Sequence, residues 1–277
     1  MPYLTEPPPP RGSSTEILPG IRRVVARNPS PMTYHGTNTY IVDDTHGTTV
    51  IDPGPMDEDH LRDVLESASG RITRILLTHA HADHVGNAAA LKDATGALIH
   101  SNLVEGHLFT PDVPIEDGET IAGMVAVHTP GHAPDHLCFA RGDGLLFSGD
   151  HVMGWCSTVV GPPQGDMAVY LDSLRRLLSR QDSLYLPGHG PPLSDPHPFI
   201  SDLLKHRMER EAEIEAALRQ CPNTASAIAT TLYAKQNSTL SRAAERNVLA
   251  HLAKLGAEGR VKQVDDLWQV VDPASTR

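Results

Sequence analysis

The chain has 277 residues, 39 % hydrophobic and 21 % charged, which suits one large α/β domain or a domain with a small appendix and allows a buried core. A formal charge of −11, from 23 basic and 34 acidic side chains, argues against a general nucleic-acid binder, because phosphate contacts need clustered Lys and Arg. Three cysteines (Cys138, Cys156, Cys221) exclude a disulfide framework and a cysteine-rich zinc module, and no run of roughly 18 apolar residues is present to span a membrane. So few cysteines fit a reducing, cytoplasmic setting. Sixteen histidines are the outlier and ask for a metal site.

The first residues, MPYLTEPPPPRGSS, lack the apolar stretch of a signal peptide. Their run of prolines predicts an extended, frayed arm over residues 1–17. Thr39 to Val42 and Thr48 to Ile51 read as neighbouring strands joined by a polar turn. Met56 to Ser69 carries Leu61, Val64 and Leu65 at helical spacing, and Ile72 to Leu77 is a buried-type strand. Ala88 to Thr95 reads as a helix and Ala97 to His100 as a strand. Val125 to His128, His136 to Ala140 and Leu145 to Phe147 are further strands. The helix Met167 to Leu178 and a short strand, Leu184 to Leu186, follow. Strands alternate with helices, but several strands succeed one another directly. That mixture predicts sheets covered by helices on their outer faces.

The character changes near Pro198. Phe199 to Gln220 is helical and charged, and two more helical segments follow, Thr224 to Tyr233 and Ser241 to Leu255. Arg260 to Val264 and Leu267 to Val271 flank Asp265-Asp266, a hairpin signature. Three helices and a hairpin resemble a winged-helix module, placed at 201–277 behind a catalytic domain at 18–200. Residues 201–277 hold 11 basic and 10 acidic side chains (net +1), whereas residues 1–200 hold 12 and 24 (net −12). The acidity therefore belongs to the first part.

The chemistry concentrates in Thr78-His79-Ala80-His81-Ala82-Asp83-His84, directly after a buried strand. Three histidines and one aspartate in six residues serve little structural purpose, and imidazole nitrogen and carboxylate oxygen are good ligands for zinc-like divalent metals. Further candidates follow short apolar strands, each after a glycine: His132 in Thr129-Pro130-Gly131-His132, Asp150 in Ser148-Gly149-Asp150, His189 in Pro187-Gly188-His189-Gly190. The glycine is expected to let the backbone turn tightly, so that each side chain enters a shared cleft.

This ordered series resembles the metallo-β-lactamase superfamily, whose His-x-His-x-Asp-His motif matches His79, His81, Asp83 and His84, and whose later ligands match His132, Asp150 and His189. The resemblance implies an αββα sandwich with the metal site at one edge. It implies one metal on His79, His81 and His132, a second on Asp83, His84 and His189, and Asp150 bridging both. Two divalent ions, zinc in most members, would acidify a bridging water whose hydroxide attacks a carbonyl or phosphorus centre. Asp83 would orient that hydroxide as the catalytic side chain. Asp52, in Ile51-Asp52-Pro53-Gly54, matches a position that buttresses a metal-bound histidine.

The remaining histidines divide by context. His136 either hydrogen-bonds near the site or opens the next strand, and His151 points away from the metals or lines the rim. His35, His46, His60, His100, His107, His128, His197, His206 and His251 have no ligand context and read as surface or satisfied. Trp155, in the stretch after the bridging position, is a candidate pocket wall, while Ser148 and Cys156 read as bystanders.

The tail resembles that of the subgroup containing the mammalian lactamase-β-like endoribonuclease and the fungal polyketide thioesterases. Substrate choice divides there between acyl compounds and phosphodiesters. The acidic balance favours a small-molecule ester, thioester or lactam. The alternative is a single-strand-specific endoribonuclease using the same metals. A homodimer through the tail is compatible with either.

Overall fold

The computed structural model describes residues 3–104, 109–234 and 240–271. His107 lies outside them. The chain first builds a seven-stranded sheet. β1 (Thr15–Leu18), β2 (Ile21–Val25), β3 (Asn38–Asp44) and β4 (Gly47–Ile51) pair antiparallel in succession. Three parallel strands extend it, β5 (Ile72–Leu76), β6 (Leu98–Ser101) and β7 (Val113–Pro114). Parallel neighbours need crossovers. Helix α1 (Glu58–Ser67) joins β4 to β5, and α2 (Ala82–Val85) with α3 (Ala88–Thr95) joins β5 to β6.

A six-stranded sheet follows from β8 (Thr120–Ile121), β9 (Met124–His128), β10 (Leu137–Arg141), β11 (Leu145–Gly149), β12 (Leu184–Pro187) and β13 (Leu193–Ser194), in the order β13-β12-β11-β10-β9-β8. Its one parallel pair, β11 with β12, is connected through α4 (Met167–Leu178).

The two-residue alternation of the strands assembles the layers. Tyr40 and Val42 of β3 meet Leu137 and Phe139 of β10 in the core between the sheets, while Ile41 turns to the outer face with Val64 of α1 and Leu91 of α3. Cys138 and Ala140 face the other way, toward Leu171 and Leu174 of α4. The result is the expected αββα sandwich.

The tail consists of α5 (Pro196–Gln220), α6 (Ala225–Leu232), α7 (Ser241–Ala257) and the hairpin β14 (Val261–Val264) with β15 (Leu267–Val270). Helix α5 runs unbroken through Ile200 and Ser201. Its Phe199, Ile200 and Leu203 join the core around α4, whereas its Ile214 and Leu218 join Val248 and Leu252 of α7. One rigid helix thus serves both cores. Among the described residues no helix is long and apolar enough to cross a membrane.

Two expectations change. The arm is extended, but its described residues are docked rather than frayed. Leu4 N–H donates to Gly154 O at 2.9 Å, Glu6 pairs with buried Arg23 at 2.8 Å, and Arg11 donates to His35 O at 2.6 Å. In addition β1, β2, the two-residue strands β7, β8 and β13, and the one-turn helix α2 join the expected elements. These lack a periodic apolar signal: β2 carries Arg22 and Arg23 mid-strand, and α2 spans four residues.

Candidate metal centre

Strand direction decides where the site forms. β9, β11 and β12 run the same way, because β10 is antiparallel to both β9 and β11 while β12 is parallel to β11. Their ends deliver His132, Asp150 and His189 to one edge. The parallel pair β4 and β5 delivers Asp52 and the motif from Thr78 to His84. A bridge between Thr37 and His189 and the Asn38 N–H donating to Gly188 O at 2.7 Å tie the two sheets together at that edge.

The seven side chains converge. His79 Nε2 and His132 Nε2 lie 2.9 and 3.0 Å from His81 Nδ1. Asp83 Oδ2 lies 3.2 Å from His189 Nε2 and 3.6 Å from His84 Nε2. Asp150 sits between the groups. Its Oδ1 is 3.5 Å from His84 Nε2, and its Oδ2 is 3.4 Å from His189 Nε2 and 3.7 Å from His132 Nε2. Three sets, His79-His81-His132, His79-His84-Asp150 and Asp83-His84-His189, bring their donor atoms within 4.8 Å and could hold metal ions.

Each imidazole is oriented from behind. His132 Nδ1–H donates to Val159 O at 2.8 Å, His189 Nδ1–H to Gly36 O at 3.3 Å, and His81 Nε2–H to Gln164 Oε1 at 3.2 Å. His84 Nδ1–H donates to Asp52 Oδ2 at 2.9 Å. Thr78 Oγ1 donates to the same oxygen at 2.7 Å, which leaves its lone pair to accept from His79 Nδ1 at 3.0 Å. With these nitrogens carrying the protons, the lone pairs that remain are those facing the centre. His84 Nε2 and Asp150 Oδ1 are buried with no hydrogen-bond partner among the described residues. Orphaned buried acceptors are costly, and a cation between them is what this donor set fits.

Electrostatics divide the histidines: His79 and His132 are neutral, whereas the carboxylates favour on His84 and His189 a proton whose place a cation would take. Burial lowers His79, reinforced by the neighbouring rings of His84, His81 and His132, and burial holds His132 at about 4. Both offer neutral nitrogens at pH 7. Burial would also lower His84 and His189, but carboxylates win. Asp150, Asp83 and Asp52 hold His84 well above its ordinary value, and Asp150 and Asp83 push His189 up to about 9. Reciprocally, burial opposes ionisation of Asp83 and Asp150, yet the imidazoles of His84 and His189 hold both below the usual carboxylate range.

The glycines before the candidate ligands act in two ways. Gly131 and Gly149 adopt φ of 130° and 47°, the left-handed turn expected of them. Gly188 does not. It is needed for room, since a Cβ there would sit 2.5 Å from Asp150 Oδ1 and 2.7 Å from His84 Cε1.

His136 both precedes β10 and braces the site. It shares 2.9 Å with Thr129 Oγ1, and its Nε2 accepts from Asp150 N–H at 3.2 Å. His151 points away, fully buried beside the Tyr170 ring 4.6 Å distant, and lines no rim. His60 and His251 are also fully buried, each near one partner, Thr39 Oγ1 at 2.8 Å and Glu211 Oε2 at 3.5 Å. Trp155 lies 5.0 Å from the Tyr34 ring and lines a cleft with His132 and Asp150, and Cys156 lines the same cleft with its thiol pushed up by burial.

Sequence reasoning did not find Gln164, Thr78, Val159 or Gly36. Two of these act through backbone carbonyls, which no side-chain pattern marks.

Asp52 supplies a direct test. Its Oδ1 accepts from Thr78 N–H at 2.8 Å while Oδ2 accepts from Thr78 Oγ1 and His84 Nδ1. Asparagine fits the space and the positive φ of 50°, but one of its two positions is a donor facing a donor. Asp52→Asn is expected to weaken metal affinity by about 10–100-fold, measured by chelator competition.

Comparison with known proteins gives a consistent result. Residues 32–189 match the family profile described as "Metallo-beta-lactamase superfamily", and residues 224–268 match "Beta-lactamase associated winged helix domain". The chain is 33 % identical over 289 residues to the "Beta-lactamase-like protein 2 homolog" of Drosophila melanogaster, covering 94 % of this chain and 97 % of that one. It is 32 % identical over 225 residues to an "Atrochrysone carboxyl ACP thioesterase" of Aspergillus chevalieri, covering 76 % and 70 %. The crystal structure of a beta-lactamase domain protein from Burkholderia ambifaria superposes with a TM-score of 0.81 over 95 % of both chains at 23 % identity, a likeness of fold. The chain belongs to the metallo-beta-lactamase superfamily and carries the winged-helix domain associated with it.

Proposed function

We propose that the protein is a zinc-dependent dinuclear hydrolase cleaving a carbonyl ester, thioester or lactam. The observation that carries this reading is the convergence of seven side chains in three overlapping three-donor sets, with Asp150 within reach of His84, His132 and His189. His79, His81 and His132 would hold one ion, Asp83, His84 and His189 the other, and Asp150 would span both. A set of imidazoles and carboxylates accepts zinc, as it accepts iron or manganese, and zinc is the ion that most members of the family carry. When bound, such ions acidify water and polarise a carbonyl.

The chain's own residues do the rest. Asp83, with 30 % of its side chain exposed at the mouth, presents Oδ2 to orient the attacking water. The water oxygen becomes bonded to the acyl carbon, the C–S, C–O or C–N bond breaks, and a proton passes to the departing atom. The apolar cleft beside Trp155 receives the acyl side. The thioesterase name of the Aspergillus relative favours a thioester within this set.

The test is a panel of acyl thioesters, lactones, nitrocefin, phosphodiesters and single-stranded RNA on zinc-loaded protein, with metal analysis after mild purification. Thioester hydrolysis that is lost on chelation and restored by zinc supports the reading. Protein devoid of transition metal, or cleavage confined to RNA, refutes it.

A further inference from the structure

The mouth of the candidate metal centre continues in two directions, and both take a wall from the tail. One is an apolar cleft of about 200 Å³ between Met153, Trp155, Tyr233 and Ala244. The other, about 320 Å³, opens over His81, Asp83 and His189 and is bordered by Arg246 of α7. Beyond it a groove runs past Met32 and Val159 to Arg242 and Arg246. His132 and Asp150 border the first two spaces. A carbonyl held at that junction has one substituent on the apolar side and the other on the arginine side.

Arg246 is held in place. A Cβ on Gly161 would lie 2.6 Å from Arg246 Cβ and 2.9 Å from its Nε, so the glycine lets the arginine stem lie flat on the loop. Arg246 Nη2 donates to Gly161 O at 3.2 Å, which fixes the guanidinium beside the mouth. Arg242 stands four residues earlier, on the same helical face. Neither meets a carboxylate among the described residues, although Glu245 lies between them on the helix. Arg22, Arg23, Arg74, Arg180 and Arg260, by contrast, are each ion-paired. A single exposed arginine is ordinary. Two unneutralised ones on one face, beside the reaction site of a chain with a formal charge of −11, mark a place where the ligand brings the negative charge. Guanidinium forks match the several oxygens of a phosphate.

We propose that Arg242 and Arg246 form an anion subsite for a phosphate on the leaving group, making the substrate an apolar acyl thioester of a phosphate-bearing thiol. This rests on the hydrolase reading above and adds what the tail contributes to it. The apolar cleft takes the acyl chain, the carbonyl lies over the centre where the two spaces meet beside His132 and Asp150, and the thiol arm runs along α7.

Octanoyl thioesters of 4′-phosphopantetheine and of pantetheine differ only in that phosphate. On zinc-loaded wild-type protein the phosphorylated ester is expected to be favoured in kcat/KM by about tenfold or more. In the Arg242→Ala/Arg246→Ala double variant the ratio falls toward one, and Arg246→Lys keeps part of it. Because the ratio compares two esters on one protein, a general loss of folding or metal cancels. A wild-type ratio near one, or a ratio untouched by the double variant, overturns the subsite. If neither ester is cleaved, the thioesterase reading fails by itself, and calorimetry with the non-hydrolysable S-methyl forms of the same two thiols decides the subsite. Tighter binding of the phosphorylated form, lost in the double variant, supports it; equal affinities overturn it. Cleavage of single-stranded RNA that the double variant slows, without any preference for the phosphorylated thiol, also overturns it by assigning the arginines to a polynucleotide.

Discussion

Asp83→Ala and His132→Ala are each expected to lower hydrolysis by on the order of 10³-fold or more while leaving the protein folded. The two changes attack different donor sets. Asp83 removal leaves only His84 and His189 in its set, and His132 removal leaves His79 and His81 facing each other. Neither side chain belongs to a hydrophobic core cluster, and both border the open space over the centre. The sandwich should therefore survive. Each variant should also bind about one equivalent of metal less than wild type, with Asp150 still available to whichever set is intact. Metal content by mass spectrometry, with circular dichroism and thermal unfolding as controls, checks both halves of the expectation. Wild-type turnover in either variant refutes the assignment.

The site was legible to the extent that it is written in side chains. Five histidines and two aspartates are unusual residues at strand ends, and the strands feeding them are short apolar runs whose direction brings all seven to one edge. What escaped the sequence is written in backbone and in distance. Val159 and Gly36 orient imidazoles through carbonyl oxygens, which any residue type could supply. Gln164 meets His81 across 83 residues, and nothing local to either marks the pair. Gly188 matters through the Cβ it lacks, which becomes visible only when Asp150 and His84 stand beside it. The arm shows the same limit. Its prolines correctly indicate extension, but Leu4 and Glu6 acquire partners only once the loop at Gly154 and the buried Arg23 exist in space.

The tail is read too narrowly as an appendage, and Arg207 shows why. It is 1 % exposed on α5 and has no carboxylate partner among the described residues. Its charge is met by Thr158 O, by Asn247 Oδ1 of α7 at 3.3 Å, and by the face of Tyr170 with the centroid 5.5 Å away. Those contacts grip a segment that touches the metal centre at two successive residues and is held by α7 at the next. Thr158 Oγ1 donates to Asp150 O at 2.7 Å, Val159 O accepts from His132, and Val160 N–H donates to Asn247 Oδ1 at 2.9 Å. Two candidate ligands are thus positioned through a loop that two tail-proximal helices hold.

Arg207→Met keeps most of the stem volume and removes the donors. Leaving Thr158 O without its charged partner should cost about 2 kcal/mol, a fall in Tm of several degrees. The decisive measurement is zinc affinity by chelator competition, expected to drop about tenfold or more because His132 and Asp150 lose their bracing. Arg207→Lys, which restores a charge but not the fork, should recover part of the affinity. A variant that melts earlier yet binds zinc as tightly as wild type would show that Arg207 serves the fold alone. A loss of affinity larger than the loss of stability explains would place the winged-helix side of the molecule in the construction of the metal centre.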